Sequence, residues 1–358
     1  MEDGKAMILD LKSFGKNPSG EHLEKIKKSP QYSLDLSRFV NRQVGFNTDP
    51  LSNPNKKKIF WDFFFKNQDR RPKFKLPQIK TSVQDFLDDR DSFKFIWFGH
   101  STFMVKLGKK VLLFDPVFAK NLAPLFFLGR RFQDPVLSLQ ELPPVDYIVI
   151  SHDHYDHLNR ESVIFFKDQA TKFLVPLGVS SHLIDWGIPA HRITEFDWWE
   201  SAFFEDLEFT CTPSQHFSGR SLTSSNQTLW ASWVVKNSQH SLYFSGDSGY
   251  DIHFKHIGKK YGPFDIAFME NGQYNPMWRR VHMLPEDTMQ AFLDLEAKRL
   301  MPIHWGMFNI ALHPWYDPIE SIQGLAALHN IELLTPKLGQ LVQLNRTNTF
   351  EAWWKDLF

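Results

Sequence analysis

The sequence predicts an α/β fold, and three observations carry that prediction. From residue 93 onward, short β-rich runs are separated by Gly, Pro and Asp. Helical segments alternate with those runs. The apolar runs end at turns that bear His or Asp, which is where α/β proteins place chemistry.

The elements follow in chain order. Residues 1–92 read as an N-terminal extension, polar and rich in Pro and Lys, with loop composition over 47–58. Inside it, Ile59-Phe60-Trp61-Asp62-Phe63-Phe64-Phe65 forms an apolar cluster between Lys56-Lys57-Lys58 and the cations Lys66, Arg70 and Arg71. Apolar rings bounded by cations suit either packing on the main domain or peripheral contact with a membrane face. Residues 93–358 read as the main domain. Strands are expected at 93–97, the first leading to Gly99-His100-Ser101-Thr102, and at 111–114. The stretch 145–150 is apolar apart from Asp146 and reads as a buried strand. Further strands are expected at 172–175, 241–244, 264–269 and 300–303. A helix is expected over 159–167, with Asn159 as its cap and Glu161 at its positive end. A second spans 285–298, with Pro285 at the first position and Glu286 and Asp287 in the first turn.

Composition narrows the function classes. Lys+Arg and Asp+Glu both number 41, so nothing suggests a nucleic-acid binder working by long-range attraction. Cys211 is alone, which excludes an intrachain disulfide and a thiolate metal cluster, and it reads as a small buried apolar residue. The first 29 residues are broken by charges, with no secretory core, and no run of roughly 18 apolar residues occurs. A cytoplasmic location is the expectation, with a peripheral position on the inner membrane face as its extension. The aromatic content, 34 Phe and 12 Trp, predicts a Phe-rich core, with some rings free to line a pocket or touch lipid.

The chemistry concentrates after residue 150, in Ser151-His152-Asp153-His154-Tyr155-Asp156-His157. Residues two apart in extended chain face one side, so His152 and His154 can grip one ion together. Asp156 and His157 lie past the bend and can reach a second. Imidazole nitrogen with carboxylate oxygen suits zinc, iron or manganese. Three later segments offer single ligand candidates at strand ends: His216 in Thr212-Pro213-Ser214-Gln215-His216, Asp247 in Ser245-Gly246-Asp247-Ser248-Gly249, and His304 in Pro302-Ile303-His304-Trp305-Gly306.

In that order, His152-x-His154-x-Asp156-His157, His216, Asp247 and His304 resemble the ligand series of the metallo-β-lactamase superfamily. Within it, the chain is similar to the N-acylphosphatidylethanolamine-hydrolysing phospholipase D enzymes and their bacterial relatives. Asp197-Trp198-Trp199-Glu200, Leu229-Trp230-Ala231-Ser232-Trp233, Gly246-Asp247-Ser248-Gly249-Tyr250 and Tyr261-Gly262-Pro263-Phe264-Asp265 add to the likeness, which runs from about Phe95 to Gly306. The resemblance implies an αββα sandwich. It implies two divalent ions, zinc first. His152, His154 and His216 would hold one, Asp156, His157 and His304 the other, and Asp247 would bridge. Water is then the nucleophile, with Asp156 able to take a proton from it and Asp247 serving in catalysis.

The chain departs from the phospholipase pattern near the site. The family's Ile-Gly-Ala-Tyr stretch reads Glu270-Asn271-Gly272-Gln273-Tyr274, adding a carboxylate and amides. Its Gln-His pair reads Val281-His282. His282 is expected to bind the scissile group or assist the leaving group. Gln273, Tyr274 and His313 are expected substrate contacts, with Trp315 beside His313 on the pocket rim. His100 is expected to serve structurally or behind the ligands.

The resulting expectation is a phosphodiesterase of phospholipase D type, acting on N-acylphosphatidylethanolamine or a similar amphiphile. A lactonase or other small-molecule ester hydrolase on the same centre is the alternative. A nucleic-acid partner is not expected, because the stretch between Asp247 and His304 is too short for an inserted binding domain. A binding module that uses its ions only structurally belongs to a third class. Structural zinc sites are usually closed and tetrahedral, which the series does not resemble.

Overall fold

A computed structural model describes residues 10–43, 57–58, 61–62, 69–122, 129–221, 223–308 and 310–358. Two seven-stranded mixed sheets form its centre. In the first, the strands run edge to edge as Leu341–Gln343, Phe93–Trp97, Phe103–Leu107, Lys110–Phe114, Tyr147–Val149, Lys172–Pro176 and Ile193–Phe196. The first three pairings are antiparallel and the last three parallel. The second sheet runs Glu332–Leu333, Arg299–Ile303, Ile266–Glu270, Ser241–Phe244, Ser232–Lys236, Leu207–Thr212 and Ser201–Phe204. Here too three parallel pairings meet three antiparallel ones.

Strand alternation explains the layering. Phe95 and Trp97 point to the space between the sheets, while Ile96 and Phe98 point outward, and all four are buried. The outward row packs with Val163 and Phe166, at the end of the helix Arg160–Phe165, and with Leu183 of the helix Ser180–Asp185. On the far side, His253–Tyr261, Pro285–Asp294 and Asp317–His329 cover the second sheet with Phe254, Ile257, Phe292 and Ile322. The architecture is therefore the expected αββα sandwich.

The Phe surplus fills the space between the sheets. Phe103 stacks on Phe114 at 4.5 Å and on Phe268 at 4.0 Å, and Phe95 meets Phe268 edge-on at 5.0 Å. Tyr147 meets Phe209 at 5.3 Å across the same gap. Such pairs add about 0.5–1.5 kcal/mol each beyond the area they bury.

Most expected elements appear with shifted ends. Asn159 caps its helix by accepting from Ser162 N at 2.9 Å. The helix expected over 285–298 stops at Asp294. Glu296 adopts φ 56°, and Lys298 N donates to Phe264 O at 2.9 Å, which turns the chain into the next strand. Packing also limits this helix: a Cβ at Gly258 of the neighbouring helix would lie 2.0 Å from Asp294 O.

The described part of the first 92 residues wraps the sandwich. It contains the short hairpin Tyr32–Ser33 with Arg38–Phe39 and the helices Gly20–Ile26 and Val83–Leu87. His22 Nε2 meets Glu195 Oε2 at 2.8 Å, and Arg71 donates to the carbonyls of Arg130 and Arg131 at 2.9 Å. Of the apolar cluster at 59–65, Trp61 is 61% exposed and Asp62 is buried; Ile59, Phe60, Phe63, Phe64 and Phe65 lie outside the described residues. Among the described residues no helix is long and apolar enough to cross a membrane.

Candidate metal centre

The centre sits where strands of both sheets end. Tyr147–Val149 leads into Ile150 and the histidine loop, Leu207–Thr212 into His216, Ser241–Phe244 into Asp247, and Arg299–Ile303 into His304. Two backbone bonds clamp the sheets together at this point: His100 N donates to Trp305 O at 2.9 Å and His304 N to His100 O at 3.0 Å. His100 and His304 both sit at positive φ, 55° and 67°. A non-glycine residue there costs on the order of 1–3 kcal/mol, and such strain is typical of functional sites. Gly246, at φ 55°, is required, since a Cβ would lie 2.7 Å from both Ala231 O and Ser151 Cβ.

The side chains converge in two sets. His152 Nε2 lies 2.8 Å from His154 Nδ1, and His216 Nε2 lies 3.2 Å from the same atom. In the other set, Asp156 Oδ2 lies 3.4 Å from His157 Nε2 and 3.3 Å from His304 Nε2. Asp247 Oδ2 stands between them. It is 3.8 Å from His152, 3.7 Å from His216, 3.1 Å from His157 and 3.4 Å from His304. One oxygen thus faces both sets, the placement a bridging ligand needs.

A family model described as a β-lactamase superfamily domain matches residues 110–305, more than half of the chain. The chain belongs to the β-lactamase superfamily. It is a metal-dependent hydrolase of the metallo-β-lactamase type. An N-acyl-phosphatidylethanolamine-hydrolyzing phospholipase D of Caenorhabditis elegans is 34% identical over 284 residues, covering 74% of this chain and 80% of that protein. An uncharacterized protein of Mycobacterium tuberculosis is 39% identical over 302 residues, covering 83% of this chain and 80% of its own. Among solved structures, a metallo hydrolase from Ignicoccus hospitalis shares the fold at a TM-score of 0.54 and 20% identity, covering 70% of this chain and 97% of that one.

The residues of this superfamily member fit divalent cations. His157 Nε2 and Asp247 Oδ1 are buried without a hydrogen-bond partner among the described residues. A buried polar atom without a partner costs roughly 1–3 kcal/mol. Facing imidazole nitrogens at 2.8–3.2 Å compete for too few protons, and a cation resolves that competition. Burial pushes His152 and His216 well below their ordinary value, which keeps their lone pairs available. Burial opposes charge on Asp156 and Asp247, yet the surrounding imidazoles hold both carboxyls well below the usual range. His157 behaves oppositely. Burial would lower it, but Asp247 and Asp156 hold it well above its ordinary value. Both carboxylates therefore favour the protonated form of His157.

A layer of outer partners aims these side chains. Asp115 Oδ2 accepts from His157 Nδ1 at 2.6 Å and from Ser151 Oγ at 2.5 Å, while Oδ1 accepts from Ser151 N at 2.8 Å. His216 Nδ1 donates to Val281 O at 3.0 Å. Asn41, from the N-terminal wrap, donates to His216 O at 2.8 Å and accepts from His216 N at 3.1 Å. Tryptophans brace the same loops: Trp230 Nε1 donates to Ser214 O and Trp233 Nε1 to Ile150 O. Ligand histidines generally need such partners to fix ring and tautomer. Neither Asp115 nor Asn41 stood out in the sequence, because each lies far along the chain from the ligand it serves.

The remaining expected residues are placed unevenly. His100, expected to serve structurally or behind the ligands, bonds the Asp156 carboxylate: its Nε2 lies 2.9 Å from Asp156 Oδ2. His282 reaches the centre, with Nδ1 4.0 Å from Asp247 Oδ2. Tyr274 and His313 line a groove of about 800 Å³ together with Met277, Leu284 and Leu312. The Tyr274 hydroxyl itself is engaged, donating to Asp317 Oδ2 at 2.6 Å. Gln273 differs more from expectation. Its Nε2 donates to the carbonyls of His304 and Phe308 at 3.3 Å, and its Oε1 accepts from Ile310 N at 3.1 Å. Those bonds make Gln273 a brace for the His304 loop, with its amide spent on backbone. Trp315 is buried at 4% exposure instead of lying on the rim, and Cys211 is fully buried as expected.

Proposed function

We propose that this hydrolase is a phosphodiesterase of phospholipase D type with two divalent ions, zinc first, acting on an N-acylated phospholipid or a similar amphiphile. The observation that carries the reading is the meeting of seven candidate ligand side chains in two sets, with Asp247 Oδ2 near four histidines drawn from both, in a chain 34% identical to a phospholipase D of that specificity. His152, His154 and His216 would hold one ion, and Asp156, His157 and His304 the other, with Asp247 shared. The ions would lower the pKa of water towards neutrality and stabilise charge on the phosphoryl oxygens.

The chain's own residues supply the rest. Asp156 accepts a proton from the attacking water. Asp115 keeps the Nδ1 proton of His157 facing away from the centre. His282, whose ring lies at the edge of the centre beside Asp247, supplies the proton to the leaving oxygen. The groove bounded by Met277, Leu284 and Leu312 offers apolar wall to an acyl chain. Exposed Trp61 is proposed to meet the lipid surface. Its replacement by Ser should weaken vesicle binding while sparing a soluble phosphodiester, and equal loss on both would remove the membrane role.

The test is a mass-spectrometric screen of purified protein against a lipid extract, with and without chelator. Release of N-acylethanolamine with phosphatidic acid, abolished by chelation, is the expected result. Chelator-sensitive release of a different product class, with phospholipids untouched, would overturn the lipid assignment.

A further inference from the structure

Glu270 ends the strand Ile266–Glu270 and is fully buried, an expensive place for a carboxylate. Its main chain is fixed on both sides: N donates to Ser245 Oγ at 2.8 Å, and O accepts from Thr288 Oγ1 at 3.0 Å. Its side chain is equally constrained. Oε1 accepts from Met283 N at 2.7 Å, and Oε2 meets His282 Nδ1 at 3.1 Å. The phospholipase pattern has no acid at this position, so the usual ligand set does not account for it.

We propose that Glu270 is a positioning residue, whose Oε2 accepts the Nδ1 proton of His282 and so presents Nε2 as the nitrogen that protonates the leaving oxygen of the substrate. This inference rests on the phosphodiesterase reading for its chemistry. Oε1 accepts from Met283 N–H, which holds the other oxygen towards His282 Nδ1, with His304 Nδ1 farther off at 3.8 Å. The His282 ring stacks on His304 at 5.2 Å and 20°, which fixes its plane. With Nδ1 engaged and the plane fixed, Nε2 is the nitrogen left for substrate, on a side chain that is 15% exposed. In the step itself, the water oxygen forms a bond to phosphorus. The bond from phosphorus to the leaving oxygen breaks, and its electron pair stays with that oxygen, which takes the proton from Nε2. The proton that Asp156 takes from the water passes to solvent, and His282 regains one from solvent, so the protein gains and loses none over a cycle.

Glu270→Gln tests this with little change in shape. Gln would keep Oε1 on Met283 N–H and turn its NH2 towards His282 Nδ1. That nitrogen must then accept, and the proton moves to Nε2. The first readout is the ¹⁵N spectrum of histidine-labelled, zinc-loaded protein, with His282 assigned by its loss in His282→Ala. Nδ1 should carry a proton in the wild type and lose it in Glu270→Gln. A wild-type Nδ1 without a proton overturns the proposal, even if the variant fails to fold. The second readout compares leaving groups. Glu270→Gln should lose at least about tenfold more activity on a dialkyl phosphodiester, whose alkoxide needs a proton, than on bis(p-nitrophenyl) phosphate, whose leaving group does not. Equal losses on both, with metal content unchanged, would reduce Glu270 to packing and overturn the proposal. If the wild type cleaves no phosphodiester, the functional reading fails, and the tautomer measurement alone decides the role of Glu270.

Discussion

Asp115→Asn is the most informative single change outside the ligands. The carboxylate accepts three hydrogen bonds, two from Ser151 and one from His157 Nδ1. An amide has one oxygen for those donors, and its NH2 must face one of them. If its oxygen stays on Ser151 N, the NH2 faces His157 Nδ1. That nitrogen must then give up its proton, and the ring becomes the Nε2–H tautomer. Nε2 is the atom 3.1 Å from Asp247 Oδ2 and 3.4 Å from Asp156 Oδ2, so the change removes the lone pair an ion would use. Loss of an outer partner of this kind weakens metal affinity about 10–100-fold, or about 1.4–2.7 kcal/mol. The loss should fall more heavily on the ion near His157, because the other set meets Asp115 only indirectly, through Ser151 Oγ at 2.9 Å from His152 Nδ1. Chelator competition followed by elemental analysis would show one ion leaving at lower chelator concentration. Equal retention of both ions would refute the argument that Asp115 sets the His157 tautomer.

Other changes bear on the same centre. Asp247→Asn should lose most activity and weaken at least one ion by more than the roughly 10–100-fold typical of outer partners; near-normal turnover with two ions bound would remove Asp247 from the bridge. His282→Ala should lower activity by about 10²–10⁴-fold while elemental analysis still finds both ions; loss of metal would make His282 a ligand. Zinc uptake near neutral pH should release about one proton from His157. Its raised pKa means the metal-free fold gains stability that is fully present below about 6.5 and lost as pH rises through the higher folded value. Calorimetry in two buffers of different ionisation enthalpy measures that proton, and a count of zero would show that His157 is already neutral before zinc binds.

The core of this fold was legible where chain-local signals are strong. Strand 93–97 and the Asn159 cap are readable because β-rich composition and capping act within a few residues. The edges were not. The short strands Leu341–Gln343 and Glu332–Leu333 exist because they pair with central strands, and nothing within two or three residues announces that. Site legibility divides in the same way. His152, His154, Asp156 and His157 declare themselves by spacing. His216, Asp247 and His304 needed the resemblance, and the structure brings all seven together. Gln273 and Trp315 looked available for substrate because residue type was the only signal. Backbone carbonyls claim the Gln273 amide, and the core claims Trp315. Asp115 and Asn41 carry no signal of their own, since their function is conferred by tertiary contact.

The central claim is a shared two-ion centre, and anomalous diffraction from crystals of zinc-loaded protein tests it most directly. The account predicts two peaks, one among His152, His154 and His216 and one among Asp156, His157 and His304, with Asp247 Oδ2 touching both. A single peak at full zinc loading, or two peaks with Asp247 bound to neither, would contradict it.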